Sequence, residues 1–502
     1  MRRTKPRLKL ALASAAALAA LAADGAVAHA APGAVWAPPA TLAGCARSAP
    51  ALAFPSDAPA RQTGPGAIAW LASAGCTEGG APELELSPLG LGAKPGPTIA
   101  LRLGGSVQTD AAAAPAVVGA PFGEVAVLAP GPGGARQLLL GRAGGELRRA
   151  VTLPGGGQAA LTRAYLGDVA AAVAARGRIR IALVRWFRHE AGPTVAFGIG
   201  PAPVTALALA MDYRSEVLVV WQQAGSSYAR LVRNTGAVGP LQRVGPAAPR
   251  PALQAMLSDN GHGMVAWATA AGSGTGARET AVKIAFTDAH TRFDALRTVA
   301  TFPDPAAFAR RDGALALVRL ADENVLLAWT AREGGHYRVL AGPAVFAGVR
   351  PPRTLSASGT DARLEALAPG ADGEALAVWD AGAGTQSCKL LTAPGDVVLP
   401  CTAQQVPGAS AAGVDAAAVE PAADRPALAW LDRAPAPARV SYVAGSPLLA
   451  YPARGYAPAA QVAARSGGGV HWLRITAAVA AGLLACAAVV VLARRRRGGR
   501  AA

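Results

Sequence analysis

The chain has 502 residues, with 48 Lys plus Arg against 31 Asp plus Glu, a formal charge of +17 and a pI near 10.6. The excess sits at the ends: residues 31–473 hold 37 basic and 30 acidic side chains. That is a mildly basic surface without the stripe a phosphate backbone needs, so nucleic acid is excluded as a partner. The 59 Gly and 40 Pro fall between short apolar runs, which excludes a helical solenoid and favours short strands and turns.

Residues 1–30 read as a signal peptide. Arg2, Arg3, Lys5, Arg7 and Lys9 precede an apolar run, Leu10–Ala23, and Ala28-His29-Ala30 offers a small-x-small cleavage pattern. The segment that follows, AVWAPPATLAG (34–44), is built like the last strand of the later repeats but has no partner strands before it.

From there to about residue 445 one unit recurs. A short apolar run ends in Trp70, Trp221, Trp267, Trp329, Trp379 and Trp430, and two copies without Trp end at Ala129 and Val173. Gly often stands six residues before the anchor, as at Gly64, Gly123, Gly167, Gly261 and Gly373. Each run follows an apolar segment and a turn rich in Asp, Asn or Gly, such as DYRSE (212–216) or SDNGHG (258–263). An alternating strand comes next, as in YARLVRN (228–234), and then a weaker one with Pro or Phe nearby. The Trp-ended strand is apolar at successive positions, so it must be covered on both faces.

Four short antiparallel strands per copy of about 50 residues resembles the β-propeller repeat proteins in general. The resemblance covers about 34–445 and implies an all-β β-propeller ectodomain of eight blades, or seven if one Trp-less copy is not a blade. The six repeat tryptophans are then core residues, and 34–44 completes the last blade. The chain lacks the GH…WD, SxDxGxTW and double-glycine signatures of the well-marked propeller kinds, so no family function comes with the pattern. Cys45, Cys76, Cys388 and Cys401 are four in number, which suggests two disulfides. The repeat map places Cys45 and Cys76 on connections at one face, and Cys388 and Cys401 at one end of a sheet. The expected pairs are Cys45–Cys76 and Cys388–Cys401.

Residues 446–474 read as a juxtamembrane linker and Ile475–Ala493 as a membrane span. Its 19 uncharged residues make about 28 Å of helix at ~1.5 Å per residue. Trp472 suits one interface, and Arg494 and Arg495 begin a basic tail (494–502) that stays on the cytoplasmic side. The expected localisation is a single-pass cell-membrane protein with its N-terminal domain extracellular.

No GxSxG elbow, P-loop, EF-hand loop or HExxH is present, and His189, His262, His290, His336 and His471 show no ligand spacing. No catalytic, metal or cofactor residue is assigned. Asp212, Asp259, Asp322 and Asp372 recur at first hairpins, as turn residues do. Trp186 falls outside the repeat register and is expected to be partly exposed. The leading functional expectation is a recognition or scaffold module for an extracellular protein or glycan. The alternative is an extracellular propeller hydrolase or lyase acting on carbohydrate.

Overall fold

The computed structural model describes residues 36–446 apart from short internal stretches, the longest being 56–63, 105–113, 272–278 and 303–314. Residues 1–30, expected as a signal peptide, residues 447–474 of the expected linker with Trp472, the apolar stretch 475–493, Arg494 and Arg495 lie outside the described residues. No helix among the described residues is long and apolar enough to cross a membrane.

Eight antiparallel sheets form, one from each repeat, and they close into an eight-bladed propeller. The innermost strands, in order of blades 1 to 8, are Ala51–Ala53, Ala116–Ala120, Gln158–Arg163, Val204–Met211, Leu253–Leu257, Leu315–Arg319, Arg363–Pro369 and Ala416–Glu420. Each touches the innermost strand of the next blade, and Ala51–Ala53 also touches Ala416–Glu420, so the circuit is complete.

The second strands explain the closure. Val217–Gln223 and Val169–Ala175 are buried at every position, as a strand sandwiched between two other blades must be. Their side chains enter eight apolar cores, each shared by two neighbouring blades. The six repeat tryptophans are at most 1 % exposed, and each projects into the seam with the preceding blade. Trp267 also donates from Nε1 to the Pro246 carbonyl at 2.7 Å. The anchors of the two Trp-less copies, Ala129 and Val173, occupy the same side of their blades. Trp186 is only 5 % exposed, against the expectation of partial exposure: it directly follows the third strand of blade 3 (Arg178–Arg185) and fills the seam between blades 2 and 3.

Blade 8 takes its outer strand from the start of the domain. Ala40–Ala43 pairs antiparallel with Arg439–Ala444, Ala40 opposite Tyr442 and Thr41 opposite Ser441. Trp36 bridges Gly445 and donates from Nε1 to Ser387 Oγ of blade 7 at 2.9 Å. Two disulfides are present, and one of them reinforces the closure. Cys45–Cys76 (Cα–Cα 5.1 Å) ties the connection after the closing strand to blade 1, and Cys388–Cys401 (5.9 Å) spans blade 7.

Three outer strands are split in two: Lys94–Pro95 with Ile99–Arg102, Gly348–Val349 with Arg353–Thr354, and Val397–Val398 with Gln404–Gln405. Pro97, Pro351 with Pro352, and Pro400 stand in the gaps, where a residue without an N–H interrupts the ladder. The glycines before the anchors also have a use. Gly123 and Gly167 lie at φ of +75° and +98°, and a Cβ on Gly123 would meet Pro65 of blade 1 at 2.4 Å.

Candidate binding site at the mouth of the channel

The innermost strands run side by side around a central channel, so the ring has a mouth where they begin and another where they end. Alanine is frequent on these strands, as at Ala116, Ala159, Ala206 and Ala255, and its small side chain leaves room at the axis.

At the mouth where the strands begin, a cavity of about 430 Å³ opens across blades 2 to 5. Gln158, Thr205 and Gln254 line it from three successive innermost strands, and Arg136 reaches it from the third strand of blade 2. Gln158 and Thr205 are exposed and Gln254 is half-buried. Thr205 Oγ1 donates to the Gln222 carbonyl at 3.3 Å. The floor is small and apolar, with Ala116, Leu128, Ala159 and Leu207. This is the arc of the ring where two copies lack Trp. Val173, the anchor of blade 3, pairs with Ala159 in the cavity wall, where blades 4 and 5 carry an indole at the corresponding rung. The described lining contains amides, a hydroxyl and one guanidinium, and no carboxylate. Such groups donate and accept hydrogen bonds without supplying an acid or a base.

Deeper in the channel a space of about 160 Å³ is bounded by Leu52, Phe54, Val118, Arg163, Pro369 and Val419. Arg163 ends the innermost strand of blade 3 and faces residues from blades 1, 2, 7 and 8.

Carboxylates recur at the opposite mouth, where they hold turns together. Asp212 Oδ1 accepts the N–H groups of Arg214 (3.0 Å) and Glu216 (2.8 Å) and closes its own turn. Asp212 is fully buried, and burial raises its pKa above the usual carboxylate range. Asp259 accepts the Tyr213 N–H of the preceding blade at 3.2 Å and both terminal nitrogens of Arg319 from the next blade, the first at 3.0 Å. Asp168 accepts the Trp186 N–H at 2.9 Å and the Ser215 hydroxyl. These bonds run blade to blade from 3 to 6. The recurring aspartates are thus structural where they can be followed, and Asp322 and Asp372 lie outside the described residues. His336 Nδ1 lies 3.3 Å from Asp361, and His262 donates its backbone N–H to Ser258 Oγ. His189, His290 and His471 lie outside the described residues. Among the described residues no three His, Cys, Asp or Glu side chains come together as metal ligands.

The sequence assigned no residue to the mouth that holds the 430 Å³ cavity, because its polar side chains come singly from four blades. The absence of Trp from two consecutive repeats, which bore only on the blade count, coincides with this arc.

No protein-family model matches the chain, and no curated protein sequence matches it. Among solved structures it is similar to the Dos1 propeller, at 9% identity and a TM-score of 0.44, covering 82% of this chain and 94% of that one. It is similar to the BP39L lectin of Burkholderia pseudomallei at 14% identity and a TM-score of 0.43, covering 72% and 99%. A prolyl endopeptidase matches at 14% identity and a TM-score of 0.39, covering 62% of this chain and 44% of that one. The chain therefore spans less than half the length of the endopeptidase. None of these likenesses carries a functional argument, and the blade count rests on the chain's own eight sheets.

Proposed function

We propose that this chain is a membrane-tethered propeller, displayed outside the cell, that binds a glycan at the polar mouth of its channel. The observation that carries the reading is the 430 Å³ cavity, whose described lining offers Gln158, Thr205 and Gln254 but no carboxylate. Amide and hydroxyl groups suit a hydroxyl-rich ligand, and the missing acids favour binding over hydrolysis. Export is supported by the two disulfides, which form and persist in oxidising compartments, together with the leader-like residues 1–30. Tethering rests on the uncharged stretch 475–493 and the arginines after it.

The test uses the detergent-purified full chain on an array of oligosaccharides. Binding to a subset is expected, with affinity falling at least tenfold in a Gln158→Ala, Gln254→Ala double variant and unchanged in Tyr213→Ala at the other mouth. Release of cleaved sugar, or binding indifferent to the double variant, would contradict the reading.

A further inference from the structure

One buried charged cluster takes no part in the channel. Lys389, on the third strand of blade 7 (Thr385–Ala393), is 2 % exposed. It stands opposite Leu376, and the face carrying Leu376 and Val378 packs on Val419 and Leu428 of blade 8. Lys389 Nζ lies 2.8 Å from Asp424 Oδ2 and is also in contact with Glu374 Oε2. Glu374 opens the second strand of the same blade, one diagonal step from Lys389, since its own register partner is Leu391. Asp424 belongs to blade 8, just before its second strand Arg425–Asp432.

A buried amine held beside a carboxyl, with a second carboxyl touching it, has the proximity and restricted water that amide condensation needs. We propose that Lys389 and Asp424 condense into an intramolecular amide, with Glu374 as the proton-transfer catalyst, joining blade 7 to blade 8.

The step balances without a co-reactant. The Lys389 ammonium first passes a proton to the Asp424 carboxylate, and Nζ, now the free amine, attacks Asp424 Cγ, so a C–N bond forms and one Cγ–O bond breaks. Two protons leave the nitrogen and end on the departing oxygen, which is released as water. The ammonium and carboxylate charges vanish together. Glu374 donates a proton to the leaving oxygen and recovers one from the nitrogen, ending as it began. Burial, and after it the Asp424 charge, pushes the Glu374 pKa up to about 8, so Glu374 holds a proton at neutral pH. A protonated Glu374 is the acid at hand for the departing oxygen, so the roles fall to Asp424 as the acceptor and Glu374 as the catalyst. The Asp424 side chain is 21 % exposed, giving the water an exit.

The site falls where the ring needs reinforcement. Blade 8 is completed by a strand from the other end of the domain, and Cys45–Cys76 secures that strand to blade 1. An amide on the other flank would lock blades 7 and 8 together.

Intact mass spectrometry of the reduced, denatured full chain tests this. The mature wild type should weigh one water less than its sequence, and proteolysis should yield a branched peptide joining Lys389 to Asp424. The Lys389→Arg and Glu374→Gln variants should carry the full mass, with circular dichroism reporting whether each folds. The wild-type mass decides even if a variant does not fold. A full wild-type mass with Lys389 in a linear peptide, or a branch through Glu374, would overturn the assignment, and an amide persisting in Glu374→Gln would remove the catalytic role.

Discussion

Trp267 shows what a single side chain contributes to this ring. Its indole is fully buried in the seam between blades 4 and 5, and its N–H is satisfied by the Pro246 carbonyl. Truncation would leave a cavity and an unpaired carbonyl, so Trp267→Ala should cost about 3–5 kcal/mol, read from urea denaturation. Glu374 acts through protonation. Burial lifts its pKa from 4.5 to about 8, so the folded state binds a proton that the unfolded state has lost across that interval. The stability it contributes is fully present below about pH 4.5 and is lost as pH rises through about 8. In Lys389→Arg, which keeps the cation and cannot form the amide, denaturant midpoints between pH 5 and 8 should therefore fall as pH rises, and the slope should flatten when Glu374→Gln is added.

At the scale of strands and their connections, the Cys45–Cys76 bond joins residues 31 apart in sequence and holds the closing strand to blade 1. The Cys45→Ser, Cys76→Ser double variant should lose about 2–4 kcal/mol and should release the segment before residue 44 to protease first, as limited proteolysis can show. This is also the scale at which the sequence was most readable. Runs such as Val217–Trp221 are apolar at every position, a pattern that requires cover on both faces, and Trp at the end marks the register. The partnerless strand at 40–43 announced ring closure for the same reason: its hydrogen bonds had to go elsewhere. The disulfide pairs followed once the strands were placed. The split outer strands were less visible, because Pro in a connection and Pro interrupting an edge strand look alike without a partner to count against. Gln158, Thr205 and Gln254 were not legible as a group, nor were Glu374, Lys389 and Asp424. Each set is assembled across blades by tertiary packing, at separations no local pattern encodes.

For the molecule as a whole, eight apolar seams, each shared by two blades, make a rigid disc whose two mouths differ in chemistry. One mouth is tied by turn carboxylates across blades 3 to 6, and the other opens into a polar cavity, without a carboxylate in its described lining, where two repeats forgo their Trp. Filling that cavity should abolish ligand capture without unfolding the disc. Ala159→Leu, on its wall, is expected to cost at least tenfold in glycan affinity while leaving the thermal midpoint within a few degrees, measured by array binding and differential scanning fluorimetry.

Ring closure underlies both mouths, and hydrogen exchange reads it directly. Amide exchange followed by mass spectrometry on the full chain should show 40–43 protected as strongly as 439–444, both opening only with global unfolding. Exchange of 40–43 within seconds, while 439–444 stays protected, would mean that the last blade is not completed by the first strand and that the closed eight-bladed disc is wrong.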